Sequence, residues 1–339
     1  MIKMRKSNFE LLRILAMFLV LVVHADFGAL GAPKIEEFQS NFWNCSFRYL
    51  IEAHAIVCVN VFVLLSGWFG IKSEGRKLVS LIFQILFFSL LFFLCFIFIS
   101  PNSALSKEGI KSIFLFNKSD YWFVKAYLLL FVISPILNAF VDHVSEKEFR
   151  LFLIVFYIIE IIYGWLEDAS IQFQLNGTTA LSFIGLYMLA RYIHLYPPKF
   201  TKLKKEYDLS IYIGISLFIT AISIFLLSRG IYVGLSSRLY AYSSPLIIIS
   251  ALFLLLFFSK LKISSNKVIN WIAASCFAVY LFHANKFFFH DLYFQTIQNL
   301  YNQYSWYGFL PLVLGFLIII YAISIVLDKI RLYFWKKLS

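Results

Sequence analysis

Charge is scarce in this chain: Asp, Glu, Lys and Arg together supply 14% of its residues, well below the roughly 25% of ordinary soluble domains. A soluble fold needs charged groups to cover its surface, so the shortage removes soluble globular domains from consideration. Cysteine is equally sparse, with four residues. Cys58, Cys95 and Cys276 fall in apolar runs and Cys45 stands alone in a loop, which excludes a disulfide framework and zinc-ligand spacing. No His-x-x-x-His and no paired carboxylates point to a metal site, and none is expected. Internal repeats and low-complexity tracts are missing. The longest connections, about 31–48, 100–120 and 288–305, are too short for an appended soluble domain, so a single domain over 1–339 is expected. Acidic residues number 18 against 30 basic ones, a formal charge of +12. In a soluble chain that excess would suggest nucleic acid; here membrane topology accounts for it, and no nucleic-acid partner is expected.

Apolar residues are what the chain has in quantity. They make up 61% of it, with 40 Phe and 20 Tyr, and the mean hydropathy is +0.81. Ten runs approach the length needed to cross a bilayer: about 9–30, 49–71, 79–99, 121–141, 149–166, 178–196, 209–228, 241–259, 268–287 and 306–327. The fold class read from this pattern is all-α, a polytopic bundle of about ten transmembrane helices surrounded by membrane lipids. Lys and Arg concentrate at the termini and in the loops after even-numbered spans, roughly 20 against 8 in the alternate set, so both termini are expected to be cytoplasmic. The start Met1–Lys6 is basic, but Glu10 and Arg13 interrupt the apolar run that follows, which argues against a cleaved secretory leader.

Arg13 and His24 lie together inside the first run. Eleven positions at about 100° each bring them back to one helix face, roughly 16 Å apart along the axis. Glu10, Met17, Val20 and Gly28 share that stripe. An ionisable side chain in hydrocarbon costs about 3 kcal/mol or more, so this face must turn toward protein or water. A neutral imidazole in a cavity can take a proton from a hydroxyl and return it, as acyl transfer requires, and a guanidinium can clamp a phosphate or stabilise an oxyanion. The alternative is structural: Arg13 snorkels to the headgroups beside Glu10 while His24 closes the outer end. Spacing alone leaves both readings open.

Four segments read together resemble the membrane acyltransferase-3 family, whose members O-acylate sugars. They are Glu10 to His24 with ten residues between its Arg and His, Asn60 to Gly67 ending in Ser66-Gly67, Tyr121 to Pro135 with its Trp-Phe and Tyr-Leu pairs, and Ser275 to His283 with Tyr-Leu-Phe-His. The resemblance implies about ten spans, acetyl-CoA or another acyl-CoA as donor, a carbohydrate or lipid-linked glycan as acceptor, and essential roles for Arg13 and His24. The family's Arg-x-x-Arg cluster after span two is replaced here by Lys72, Arg76 and Lys77, which lack the second arginine. These three could attract the phosphates of a CoA or serve as positive-inside anchors, with Arg76 the better phosphate fork. Ser66 and Gly67 read as a site of close helix approach. Glu52 is an intramembrane acid in need of a partner. His283, with Tyr280 one turn below it, ends span nine at the level of His24, where the two imidazoles could line one acceptor site.

The function expected is therefore an integral membrane O-acetyltransferase of the bacterial inner membrane, acting on a cell-envelope polysaccharide or its precursor. The rival is a transporter or flippase for a lipid-linked saccharide. It is disfavoured because no paired Gly/Pro interruptions break the spans. A non-catalytic membrane subunit is the third possibility.

Overall fold

The computed structural model describes residues 6–338 except 73, 116–120, 167–174 and 231–237. The described residues are mostly helical, with no strand among them. In chain order the main helices are α1 (Ser7–Val23), continued by a π turn at His24–Gly28, α2 (Phe42–Ala55), α3 (Cys58–Phe69), α4 (Gly75–Ile99), α5 (Trp122–His143), α6 (Glu146–Ile161), α7 (Ala180–Leu195), α8 (Lys205–Ser228), α9 (Pro245–Ser259), α10 (Lys267–Ala273), α11 (Cys276–His283), α12 (Gln295–Gln303) and α13 (Trp306–Leu338). Seven helical stretches are each long and apolar enough to span a membrane, an eighth is the bent pair Lys267–His283 and Lys286–Gln303, and Ala180–Leu195 and Pro245–Ser259 are shorter apolar helices. Every expected run thus falls on helix, and the chain is an all-α integral membrane bundle.

Helix starts follow ordinary capping chemistry. Ser145 accepts from the Glu148 amide while the Glu148 carboxylate accepts from the Ser145 amide, a complete capping box for α6. Asn41, Thr179 and Asn266 cap α2, α7 and α10 with their side chains. The first five residues of the basic start lie outside the described residues, so the reading of that start as uncleaved meets no structural observation.

Two sequence expectations need correction. The connections 31–48 and 288–305 are largely helical: Ile35–Ser40 and the first turns of α2 occupy one, and a π segment Phe289–Phe294 with α12 occupies the other. Cys45 is accordingly buried within α2 rather than in a loop. Ile35–Ser40 buries no residue and α12 buries only Ile297, so neither carries the apolar run by which a span is read from sequence. The second correction concerns span nine. It is broken at Ala274–Ser275, and the chain bends by 61° between His283 and Lys286. Neither break uses Gly or Pro. Asn285 makes the bend with its side chain, which accepts from the Phe287 amide and donates to the Tyr121 hydroxyl at 2.9 Å.

Helix α1 is packed against α2, α3, α9, α10, α11 and α13, so its ionisable stripe never faces lipid. Lipid instead meets apolar side chains such as Phe98, Ile136 and Val326 on α4, α5 and α13. Close approach of α3 to α7 depends on Gly67, where an added Cβ would stand 2.3 Å from the Tyr187 carbonyl oxygen and 2.9 Å from Ala190 Cβ. Backbone cannot yield there as a side-chain tip would. We therefore expect Gly67→Leu to cost about 3 kcal/mol of stability by overpacking, the upper part of the usual range, and to lower the monodisperse yield and melting temperature of the detergent-extracted protein. Ser66→Ala, one position away, should leave both nearly unchanged.

Candidate active site

The stripe along α1 opens into a cavity of about 330 Å³ walled by α1, α3, α4, α5, the α10–α11 break and Tyr242. Arg13 and His24 both line it, with Met17 and Val20 between them. Small Ala273 and Ala274 at the break leave room on the far wall. Non-helical backbone at membrane depth is tolerated where it borders such a cavity.

At the end nearer the start of α1, Arg13 pairs with Glu10 at 2.5 Å and keeps a third of its side-chain surface exposed. This end lies level with the end of α3, since Phe9 packs edge-on to Phe69 with ring centroids 4.9 Å apart. Leu81 and Gln84 of α4 line the cavity here. Gln84 donates to Asp328 at 2.9 Å, and Arg331 donates to the same carboxylate oxygen at 2.7 Å. Asp328 and Arg331 are buried although span ten was expected to end at residue 327. Their signal was present in sequence: Ser324, Asp328 and Arg331 are spaced four then three, one face of a helix that had not yet ended.

At the other end the imidazole of His24 meets that of His283, with Nδ1 and Nε2 2.8 Å apart. His283 is fully buried, lies behind His24 rather than in the cavity wall, and its own Nδ1 is 2.6 Å from the Val279 carbonyl. Around His24 the cavity wall is aromatic: Phe62, Trp122, Phe123, Tyr127, Tyr242 and Tyr280. Phe123 stacks on Tyr127 at 5.8 Å, and Tyr280 meets Phe123 edge-on at 5.6 Å. Ser66, read from sequence as a packing residue, lines the cavity as well, with its hydroxyl 3.3 Å from that of Tyr127. Only its neighbour Gly67 makes the close helix contact. Tyr127 is the tyrosine of the Tyr-Leu pair in the Tyr121–Pro135 segment, though its place in the cavity was not read from it, and nothing in the local sequence singles out Tyr242.

His24 opens the π turn, and the wider turn carries the helix out of its α register. The Leu21 carbonyl just before it accepts the Tyr293 hydroxyl at 2.7 Å. Gly28, expected on the stripe, instead packs against Phe294. Asp26 within the turn accepts from Arg48 at 2.6 Å, while Arg48 also donates to the Gly31 carbonyl. That buried pair was not anticipated.

The remaining expected site residues lie elsewhere. Glu52 is buried beside the π turn, hydrogen-bonded to the Phe27 backbone with Oε2 unpartnered, and does not line the cavity. Lys72, Arg76 and Lys77 are exposed around the start of α4, outside the cavity wall. Lys77 pairs with Glu74 at 2.9 Å, and that hydrogen bond and charge hold the exposed Glu74 carboxyl below its usual range. Lys77, Leu81 and Gln84 are spaced four then three, so Lys77 stands on the face that leads down to the cavity. Among the described residues no group of three His, Cys, Asp or Glu could hold a metal ion.

An all-helical membrane bundle with an internal cavity, lined by His24 in front of His283 at one end and by Arg13 at the other, defines an integral membrane protein with a polar site sheltered from lipid. A family model described as an acyltransferase domain matches residues 6–329. The chain belongs to this family, the membrane acyltransferase-3 family, and is a membrane acyltransferase. No curated protein and no solved structure matches it.

Proposed function

We propose that the chain, as one domain over 1–339, moves an acetyl or other short acyl group from an acyl-CoA to a sugar hydroxyl of a cell-envelope polysaccharide or its lipid-linked precursor. It does so in the bacterial inner membrane with both termini cytoplasmic. The observation that carries this reading is the shared cavity: His24 has one ring nitrogen bonded to His283 and the other without a partner among the described residues, in a chamber that also contains Arg13.

In this reading the free ring nitrogen of His24 accepts the proton of the acceptor hydroxyl as its oxygen attacks the thioester carbonyl. The C–S bond breaks, and the departing thiolate takes the proton back from the imidazolium, leaving ester and free thiol. Arg13 is too far from His24 to act on that carbonyl directly. An offset of about 16 Å along the helix leaves only about 1 kcal/mol of Coulomb energy at an effective dielectric of 20. The separation suits an anchor for the anionic end of the donor, with the extended pantetheine arm covering the distance to His24. Arg76, Lys77 and Lys72, exposed around the start of α4, add positive charge at the same end, with Lys77 partly neutralised by Glu74. The aromatic wall around His24 supports a sugar acceptor, because flat rings bind the apolar faces of pyranoses while the Ser66 and Tyr127 hydroxyls offer polar contacts.

Membranes containing the chain, supplied with radiolabelled acetyl-CoA and the envelope glycan fraction of their host, should pass label to the glycan in an alkali-labile linkage. Label that stays in the thioester, together with movement of lipid-linked saccharide across vesicles, would instead support the flippase reading. That reading gains little from the fold, since its paired broken helices meet only one span bent by more than 40° among the described residues.

A further inference from the structure

His283 touches neither the cavity nor, in the reading above, either substrate, yet it makes the shortest polar contact to His24. Its hydrogen-bonding state follows from its neighbours. The Val279 carbonyl 2.6 Å from its Nδ1 can only accept, so that nitrogen carries the proton. In a neutral ring Nε2 is then a bare acceptor, and the 2.8 Å contact to His24 requires His24 Nδ1 to donate. The lone pair of His24 is thereby left on Nε2, the ring nitrogen without a partner. The Tyr293 hydroxyl donates to the Leu21 carbonyl, the Tyr280 oxygen accepts from the Phe123 backbone amide, and neither hydroxyl is hydrogen-bonded to an imidazole among the described residues. Phe289 closes the remaining side of both rings.

We propose that His283 is a positioning residue: through its bond to the Val279 carbonyl it locks His24 in the Nδ1-protonated tautomer and aims a bare Nε2 into the cavity. The inference rests on His24 being the general base, and it assigns to a second, neutral imidazole the orienting role that the buried carboxylate plays in a Ser-His-Asp triad. His283 is also the last residue of α11, where the negative end of the helix dipole favours the positive charge that the pair carries while His24 holds the acceptor proton.

Two measurements test it. In protein labelled with 15N-histidine and reconstituted in lipid, the His24 signal, identified by its loss in His24→Gln, should show Nδ1 protonated and Nε2 bare; the reverse tautomer overturns the proposal whether or not the chain transfers acyl groups. In kinetics, His283→Leu should lower kcat by about 10² to 10³-fold with both KM values within about threefold of wild type. His283→Gln, whose amide oxygen can accept from His24, should restore kcat to within about tenfold. A folded Leu variant with unchanged kcat, or one in which only the acceptor KM rises, overturns it. Should the Leu variant not fold, a Gln variant as inactive as His24→Ala overturns it, and one that keeps the Nδ1-protonated signal and most of its kcat supports it. Activity surviving in His24→Ala would remove the general-base reading while leaving the tautomer result to stand on its own.

Discussion

Alanine at His24 should lower kcat for acyl transfer by about 10² to 10⁴-fold, the range that a positioned general base contributes. The folded yield should stay close to wild type. The ring is only partly covered, and its loss enlarges an existing cavity and leaves only the buried His283 Nε2 without its donor, a cost of about 1 to 3 kcal/mol. His24→Gln, which keeps a polar contact toward His283 but has no basic nitrogen, should be as inactive as the alanine variant. Steady-state transfer from labelled acetyl-CoA, normalised to protein that elutes as a single species in detergent, provides the measurement. Transfer within tenfold of wild type in either variant would rule out His24 as the base.

Loss of Arg13 should have a different kinetic signature. Charge-assisted hydrogen bonds to an anionic ligand are worth about 1.5 to 3 kcal/mol, so Arg13→Ala should raise the KM for acyl-CoA by about 10 to 150-fold with a smaller change in kcat. Arg13→Lys should recover part of the loss, because it keeps the charge and forfeits the planar fork. Glu10 shares the Arg13 guanidinium at 2.5 Å, so the alanine variant should also be made with Glu10→Gln to separate lost donor binding from a carboxylate deprived of its ion pair. An unchanged donor KM in that double variant would mean that Arg13 is a structural partner of Glu10. The contrast between a kcat effect at one end of the cavity and a KM effect at the other is itself the test of the separation of roles along α1.

The fold was largely legible because membrane spans depend on composition over about 20 residues, and composition needs no knowledge of distant contacts. The stripe on α1 was legible for a similar reason, as 13, 17, 20 and 24 recur at helical spacing. What escaped depended on long-range contact. His24 and His283 are separated by 259 positions, and no local pattern says that one lies behind the other rather than beside it. The breaks at Ala274–Ser275 and around Asn285 lack Gly and Pro, so the usual punctuation is absent, and Asn285 makes the bend only because Tyr121 is there to receive its amide. Asp328 and Arg331 looked like the start of a polar tail because a hydropathy window cannot distinguish a charge in water from one satisfied by Gln84 inside the bundle.

The π turn at His24–Gly28 divides the first span into two stretches of different helical phase. Upstream, the helix is phased by the cavity it lines; downstream, its phase is set by the clasp of Arg48 on Asp26 and the Gly31 carbonyl. A helix of uniform pitch would fix both stretches in one phase, so the face that turns Arg13 to the cavity would also decide where Asp26 points. Here the widened turn sets the two phases separately: His24 keeps to the cavity wall while Asp26 is held by Arg48 of α2, which ties down the start of the segment leading to Ile35–Ser40.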